Sequence, residues 1–252
     1  MRLTTIGTGT VAPHPTRVCA GHLIEAGDAV LLLDCGSGVV HRMAALELPW
    51  SRITHVAITH FHGDHIADLA MLCYAFKYGQ LPPRSEPLQV IGPPGIRDLM
   101  DRLALVFGTW LHAPGYLLEV VELEAGIELP LGSGLRLSSR KVPHTPESVA
   151  YSVSDGAGRI VYTGDTGFDA SLGEWAAGCD VLLTECSLPD AMAIPSHLTP
   201  TQAGALAAVA NPGTLVLSHF YLPVEAVNIT ALVAAEFHGP VVLATDGWSI
   251  DL

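Results

Sequence analysis

Thr59-His60-Phe61-His62-Gly63-Asp64-His65 follows directly on the apolar run 53–58 and places three imidazoles and one carboxylate between positions 60 and 65. Imidazole suits zinc, iron and related ions, and a carboxylate widens the choice towards harder ones, so this spacing alone announces a metal site. One strand-end loop cannot close the coordination spheres of two metals. If two bind, further His or Asp side chains must arrive from distant parts of the chain.

Three later segments share the build of this loop, an apolar strand that ends on a potential ligand. Residues 137–142 lead to His144, residues 160–164 to Asp165, and residues 215–218 to His219. Together with His60, His62, Asp64 and His65 they make seven candidate ligands on strand ends, where a rigid scaffold lets side-chain tips converge. Taken singly, a strand-end histidine serves as well as a hydrogen-bonded structural group, and Gly164-Asp165-Thr166 as an ordinary turn. Their order and number favour the metal.

These residues resemble the metallo-β-lactamase fold superfamily of hydrolases. His60, His62, Asp64 and His65 match its HxHxDH signature, and His144, Asp165 and His219 match its three later motifs in order. The resemblance spans nearly the whole chain, since Asp34-Cys35-Gly36 is similar to the early Asp-containing turn of that family. It implies an α/β (α+β) protein, a four-layer αββα sandwich, in one hydrolase domain over residues 1–252. It also implies that His60, His62 and His144 hold one divalent metal and Asp64, His65 and His219 a second, with Asp165 bridging. Zinc is the expected ion, and the same N/O donor set accepts manganese or iron. Asp34 is expected to orient the histidine loop by hydrogen bonds rather than to ligate.

The order of elements points to the same architecture. Strands are expected at 2–6, 21–26, 29–33, 53–58, 88–91, 117–122, 135–141, 149–153, 159–163, 180–184, 214–217 and 241–244, with a hairpin turn at Gly27-Asp28. Helices are expected after the turn 34–38 and at 66–78, 96–107, 199–210 and 224–237. Such interleaving suggests two sheets packed face to face with helices outside. With 49% hydrophobic residues in 252, the chain can bury a large core. Twenty-five acidic residues against twelve basic ones give a net charge of −13, which repels nucleic acid. No apolar run reaches the ~20 residues of a membrane helix, and no secretory leader is visible. Five cysteines without a CxxC pair read as reduced thiols, so a cytoplasmic protein is expected.

The branch of the superfamily follows from a second group of residues. Asp165 in its Gly-Asp-Thr turn resembles the phosphodiesterase, glyoxalase and lactonase branches. Residues 84–88 and 91–95 resemble the stretch that precedes the outer helix in ribonuclease Z, and Ser196-His197-Leu198-Thr199 resembles that family's His-x-Thr motif. The resemblance makes His197 a candidate general acid and Glu185 the carboxylate that orients it, with Asp64 and Asp165 able to receive a proton. The competing reading makes His197 a plain residue ahead of a helix capped by Thr199.

The arm that clamps tRNA in ribonuclease Z would lie between His144 and Asp165. Only twenty residues occur there, already consumed by two strands and the turn 154–158. Basic residues are scattered, and Arg140-Lys141, the only adjacent pair, would favour an anionic substrate from at most one face. The expected activity is therefore a binuclear phosphodiesterase acting on small diesters, cyclic nucleotides among them, through a hydroxide held between the ions. Arylsulfatase, lactonase or weak β-lactamase activity on the same centre is the alternative. A tRNA 3′-processing endonuclease and a non-catalytic metal-binding protein are less favoured. Trp110, Tyr116, Phe220 and Tyr221 are candidate pocket residues or simple packing, and the resemblance implies a homodimer.

Overall fold

Fourteen strands and eight α-helices are described by a computed structural model covering residues 1–252. The strands form two seven-stranded sheets. The first contains β1 (Arg2–Gly7), β2 (Gly21–Ala26), β3 (Ala29–Leu33), β4 (His55–Ala57), β5 (Leu88–Gly92), β6 (Leu118–Glu122) and the C-terminal β14 (Ser249–Asp251), in the order β14-β1-β2-β3-β4-β5-β6. The second holds β7 (Glu128–Gly132), β8 (Leu135–Lys141), β9 (Val149–Ser154), β10 (Arg159–Tyr162), β11 (Val181–Glu185), β12 (Thr214–Ser218) and β13 (Val241–Leu243), in sequence order. Each sheet is antiparallel over its first strands and parallel over its last four. Gly27 joins β2 to β3 at φ +56°, the conformation a two-residue hairpin asks of its first central residue.

Three apolar layers hold four structural layers together. Between the sheets, Leu3, Ile24, Leu31 and Leu33 meet Leu137, Tyr151, Val153, Tyr162 and Leu183. A second layer seats α1 (Val39–Ala45), α2 (Gly63–Ile66), α3 (Leu69–Tyr78) and α4 (Ile96–Phe107) on the first sheet through Met43, Leu72, Phe76, Ile96 and Met100. The third seats α5 (Ala170–Trp175), α6 (Pro200–Ala210), α7 (Leu222–Glu225) and α8 (Ile229–Ala234) on the second sheet through Leu172, Leu206, Val224 and Val233. This is the αββα sandwich that the element order implies. The parallel strands are covered on both faces, which is why they read as unbroken apolar runs.

Several expected boundaries move. The helix expected at 66–78 is broken at Ala67-Asp68, where the loop's own short helix α2 ends and α3 begins. The helix expected at 224–237 is two, because Asn228 interrupts it and caps α8, accepting a hydrogen bond from the Ala231 N–H. Strands β7 and β14 and helix α5 were not expected. Both strands are edge strands of five residues or fewer, too short for a period to show. No helix is long and apolar enough to cross a membrane, and all five cysteines are unpaired.

The strand directions put the site where it is. Strands β8, β10, β11 and β12 run the same way in one sheet and β3 and β4 run together in the other, so their C-terminal ends supply one edge of the sandwich. Gly164 sits where the sheets approach each other, and a Cβ there would lie 2.9 Å from Thr59 Cβ.

Candidate metal centre

All seven expected ligands converge at this edge. Donor atoms of His60, His62, His144 and Asp165 lie within 4.8 Å of one another, as do those of Asp64, His65 and His219. Asp165 stands between the groups. Its Oδ2 lies 3.8 Å from both His60 Nε2 and His144 Nε2, while its Oδ1 lies 3.2 Å from His65 Nε2 and 3.3 Å from His219 Nε2.

The imidazoles are held from behind, which decides which nitrogen faces the cluster. Asp34 Oδ2 accepts from His65 Nδ1 at 2.8 Å, the Ser196 carbonyl accepts from His144 Nδ1 at 2.9 Å, and Ser187 Oγ meets His219 Nδ1 at 3.0 Å. The first two partners only accept, so they fix the Nδ1–H tautomer of His65 and His144 and turn Nε2 to the cluster, whereas the Ser187 hydroxyl can donate or accept. Asp34 also accepts from Thr59 N at 2.7 Å and from the Tyr162 hydroxyl at 2.8 Å, so its expected orienting part matches its contacts. Gly36 lets the loop close, since a Cβ there would meet the Asp64 carbonyl at 1.9 Å. Asp34 and His219 both adopt left-handed backbone, at φ 57° and 58°, a strained conformation of the kind that clusters at functional sites.

The orphaned atoms are the test of whether a cation fits. His60 Nε2, His65 Nε2, His219 Nε2 and Asp165 Oδ1 are buried and have no hydrogen-bond partner. Leaving such groups unsatisfied costs ~1–3 kcal/mol each, and bound divalent metal would satisfy them. Electrostatics divide the imidazoles: burial lowers His65, but Asp165 and Asp34 outweigh it and hold that imidazole well above 6.5, so a metal there would have to displace its proton. Burial, reinforced by the neighbouring imidazoles, pulls His60 down to about 2, leaving it neutral as a ligand must be. Burial opposes the charge on Asp165, yet the imidazoles of His219 and His65 hold its carboxyl well below the usual range.

Beside the cluster, His197 Nδ1 lies 3.0 Å from Glu185 Oε2 and 3.2 Å from Oε1. Burial lowers this imidazole, but the Glu185 hydrogen bond and charge outweigh burial and leave it raised above 6.5. Glu185 also accepts from the Thr166 N–H and the Ser187 hydroxyl. Thr199, two residues after His197, is the N-cap of α6, with a full capping box to Gln202.

Other candidates fall elsewhere. Trp110 packs on Tyr74 and donates to the Phe107 carbonyl, and Tyr116 is buried on Phe76, so both belong to the outer layer on the first sheet. Phe220 is buried beneath Arg17. Only Tyr221 faces the site, its ring 6.0 Å from His219 and 6.2 Å from His197. Arg140 is held by Ser171 and Asp169, and Lys141 by the Pro146 carbonyl, so neither is an anion contact. Ser187 and Tyr162 carried no signal in the sequence, and Ser196 none beyond its place before His197; they matter because segments distant in sequence lie side by side.

A profile described as a beta-lactamase superfamily domain matches residues 30–220. A ribonuclease Z of Mycobacterium avium (strain 104) is 32% identical, over 98% of this chain and 96% of its own length. Among solved structures, the metallo-beta-lactamase fold protein YhfI from Bacillus subtilis superposes with a TM-score of 0.87 at 25% identity, covering 99% of this chain and 98% of that one. The short form of human tRNase Z shares the fold, with a TM-score of 0.81 at 24% identity over 100% and 99% of the two chains. Fold and site together define a metal-dependent hydrolase. The chain belongs to the beta-lactamase superfamily, in its ribonuclease Z-like branch.

Proposed function

We propose that this hydrolase is a binuclear phosphodiesterase acting on small phosphodiesters, cyclic nucleotides among them, with residues 1–252 working as one domain. Asp165 carries the reading, because its two oxygens face opposite donor groups as a carboxylate shared by two ions requires. His60, His62 and His144 would hold one ion and Asp64, His65 and His219 the other. Zinc suits this donor set, as do manganese and iron. Two such ions supply an activated water and neutralise charge on the attacking and leaving oxygens of an in-line displacement.

The chain's own residues do the rest. With Nδ1–H committed to Glu185, His197 presents Nε2 to protonate the leaving oxygen. In this reading Asp64 and Asp165 take up the proton lost by the attacking water. No Lys or Arg is a hydrogen-bond or ion-pair partner of any residue in the cluster, which suits the single negative charge of a diester better than the two of a monoester. Strands β9 and β10 take up the span from His144 to Asp165, so no arm reaches out to clasp RNA.

The name of the Mycobacterium relative supports a second reading in which the diester lies in RNA, against the small-substrate expectation. A homodimer is part of the proposal, and the exposed Met71, Tyr74 and Tyr78 of α3 with Leu105, Val106 and Phe107 of α4 offer an apolar face for it. The test is turnover by metal-loaded protein of bis(p-nitrophenyl) phosphate, cyclic nucleotides, a tRNA precursor, an aryl sulfate, a lactone, a thioester and a β-lactam. Small diesters should lead. Efficient lactone or thioester cleavage without any diester turnover would refute a phosphodiesterase, and cleavage of the precursor alone would replace the small-diester reading with the RNA one.

A further inference from the structure

Glu185 and His219 sit at the ends of adjacent parallel strands, β11 and β12, paired so that Glu185 lies opposite Ser218. Two residues beyond Glu185, the chain places the fully buried Ser187 between them. Its hydroxyl contacts Glu185 Oε2 and lies 3.0 Å from His219 Nδ1 and 3.1 Å from the His219 carbonyl. A serine hydroxyl has one proton to give and two lone pairs to offer, so these contacts restrict one another.

The proton goes to the strongest acceptor, the carboxylate, because a charge-assisted O–H···O⁻ bond is roughly twice as strong as a neutral one. Ser187 Oγ is then an acceptor towards His219, and the hydrogen it accepts must be the one on Nδ1. The opposite polarity, Ser187 donating to Nδ1, would put the proton of neutral His219 on Nε2. That nitrogen is buried without a partner, 3.3 Å from Asp165 Oδ1 and 3.5 Å from Asp64 Oδ2, where a metal ligand must be bare.

Glu185 meanwhile accepts from His197 Nδ1 and, on Oε1, from the Thr166 N–H. One carboxylate therefore sits behind two histidines, directly behind His197 and through a single hydroxyl behind His219. The rings of these histidines lie nearly parallel, 16° apart, with centroids separated by 5.9 Å.

We propose that Ser187 is a positioning residue that ties the metal-facing histidine His219 to Glu185, so that one carboxylate sets the tautomer of both the second-metal ligand and the proton donor. The proposal rests on the two-metal reading above. It makes occupancy of the second metal position depend on a residue that touches neither metal nor substrate. Replacing the supporting partner of a ligand typically lowers metal affinity 10–100-fold, and the loss here should fall on one metal of the two.

The test is zinc binding by metal-free protein in competition with a chromophoric chelator, for wild type, Ser187→Ala, Ser187→Thr and His219→Ala. The expected result is two equivalents for wild type. Ser187→Ala should keep the first and bind the second at least tenfold more weakly, and Ser187→Thr, which retains the hydroxyl, should recover it. If wild type takes up two ions and His219→Ala loses one, but Ser187→Ala binds both with unchanged affinity, the inference about Ser187 is wrong while the two-metal reading stands. If wild type itself binds fewer than two, that reading fails first. Should Ser187→Ala not fold by circular dichroism, Ser187→Cys, which preserves bulk with a weaker donor, decides by the same affinity comparison.

Discussion

His65 Nδ1 lies 2.8 Å from Asp34 Oδ2, and both side chains are wholly buried. Three other donors converge on the same carboxylate: the Thr59 N–H, the Thr59 hydroxyl and the Tyr162 hydroxyl. Asp34 thereby binds the histidine loop of the first sheet to β10 of the second. Removing it strands those donors and frees the imidazole to turn. Asp34→Ala should cost about 3 kcal/mol of stability, as loss of one partner of a buried pair does. It should also lower bound metal, and urea unfolding with elemental analysis of the purified variant measures both.

His197→Ala removes the proposed proton donor without touching the expected ligand set. Turnover of a diester with a poor leaving group should fall by about 10²–10⁴, the usual worth of general acid catalysis, while metal content stays at the wild-type value. A p-nitrophenolate leaving group, which needs little protonation, should suffer much less. Equal losses for both leaving groups would remove His197 from the proton-transfer step.

The pH dependence separates Glu185 from a purely structural residue. Burial alone would lower His197, and Glu185 reverses this by accepting its Nδ1–H and by its charge. A raised imidazole keeps its proton to higher pH, so the acid form persists above 6.5 and activity declines as pH passes through the raised value. Glu185→Gln should move that basic limb of kcat to lower pH. An unmoved limb would contradict the assignment.

His22 tests the reading of burial in a histidine outside the proposed ligand set. It is fully buried, packs edge-on against Tyr162 with centroids 4.8 Å apart, and leaves Nδ1 without a partner. Burial and the nearby His65 and His219 lower it to about 3. The unfolded chain therefore binds a proton that the folded one refuses, so stability is full above pH 6.5 and lost as pH falls towards 3. From 6.5 to 5 this amounts to about 2 kcal/mol, and His22→Phe should remove that share of the slope in chemical denaturation of metal-free protein.

The cluster of candidate ligands was legible because metal chemistry restricts both residue type and spacing, and because each candidate follows an apolar strand. His60 to His65, His144, Asp165 and His219 could be found by following strand ends. The four-layer sandwich was legible for a related reason, since parallel strands covered on both faces leave long apolar runs. What escaped depends on contacts between distant segments. Ser187 is an ordinary serine until β11 and β12 lie side by side, and Trp110 and Tyr116 look like pocket aromatics until α3 claims them. Short elements escaped too: β7 and β14 at the sheet edges, and the six-residue α5, although Asp169 caps it by accepting from the Ser171 N–H.

The most direct test is a titration of chelator-stripped protein with zinc, following bound metal by mass spectrometry and bis(p-nitrophenyl) phosphate hydrolysis in the same samples. The two-metal account predicts saturation at two ions per chain, with most of the activity appearing only with the second, and an Asp165→Ala variant that takes up fewer ions and does not hydrolyse the diester. Full activity at one ion per chain, or two ions bound with no diester hydrolysed, would contradict it.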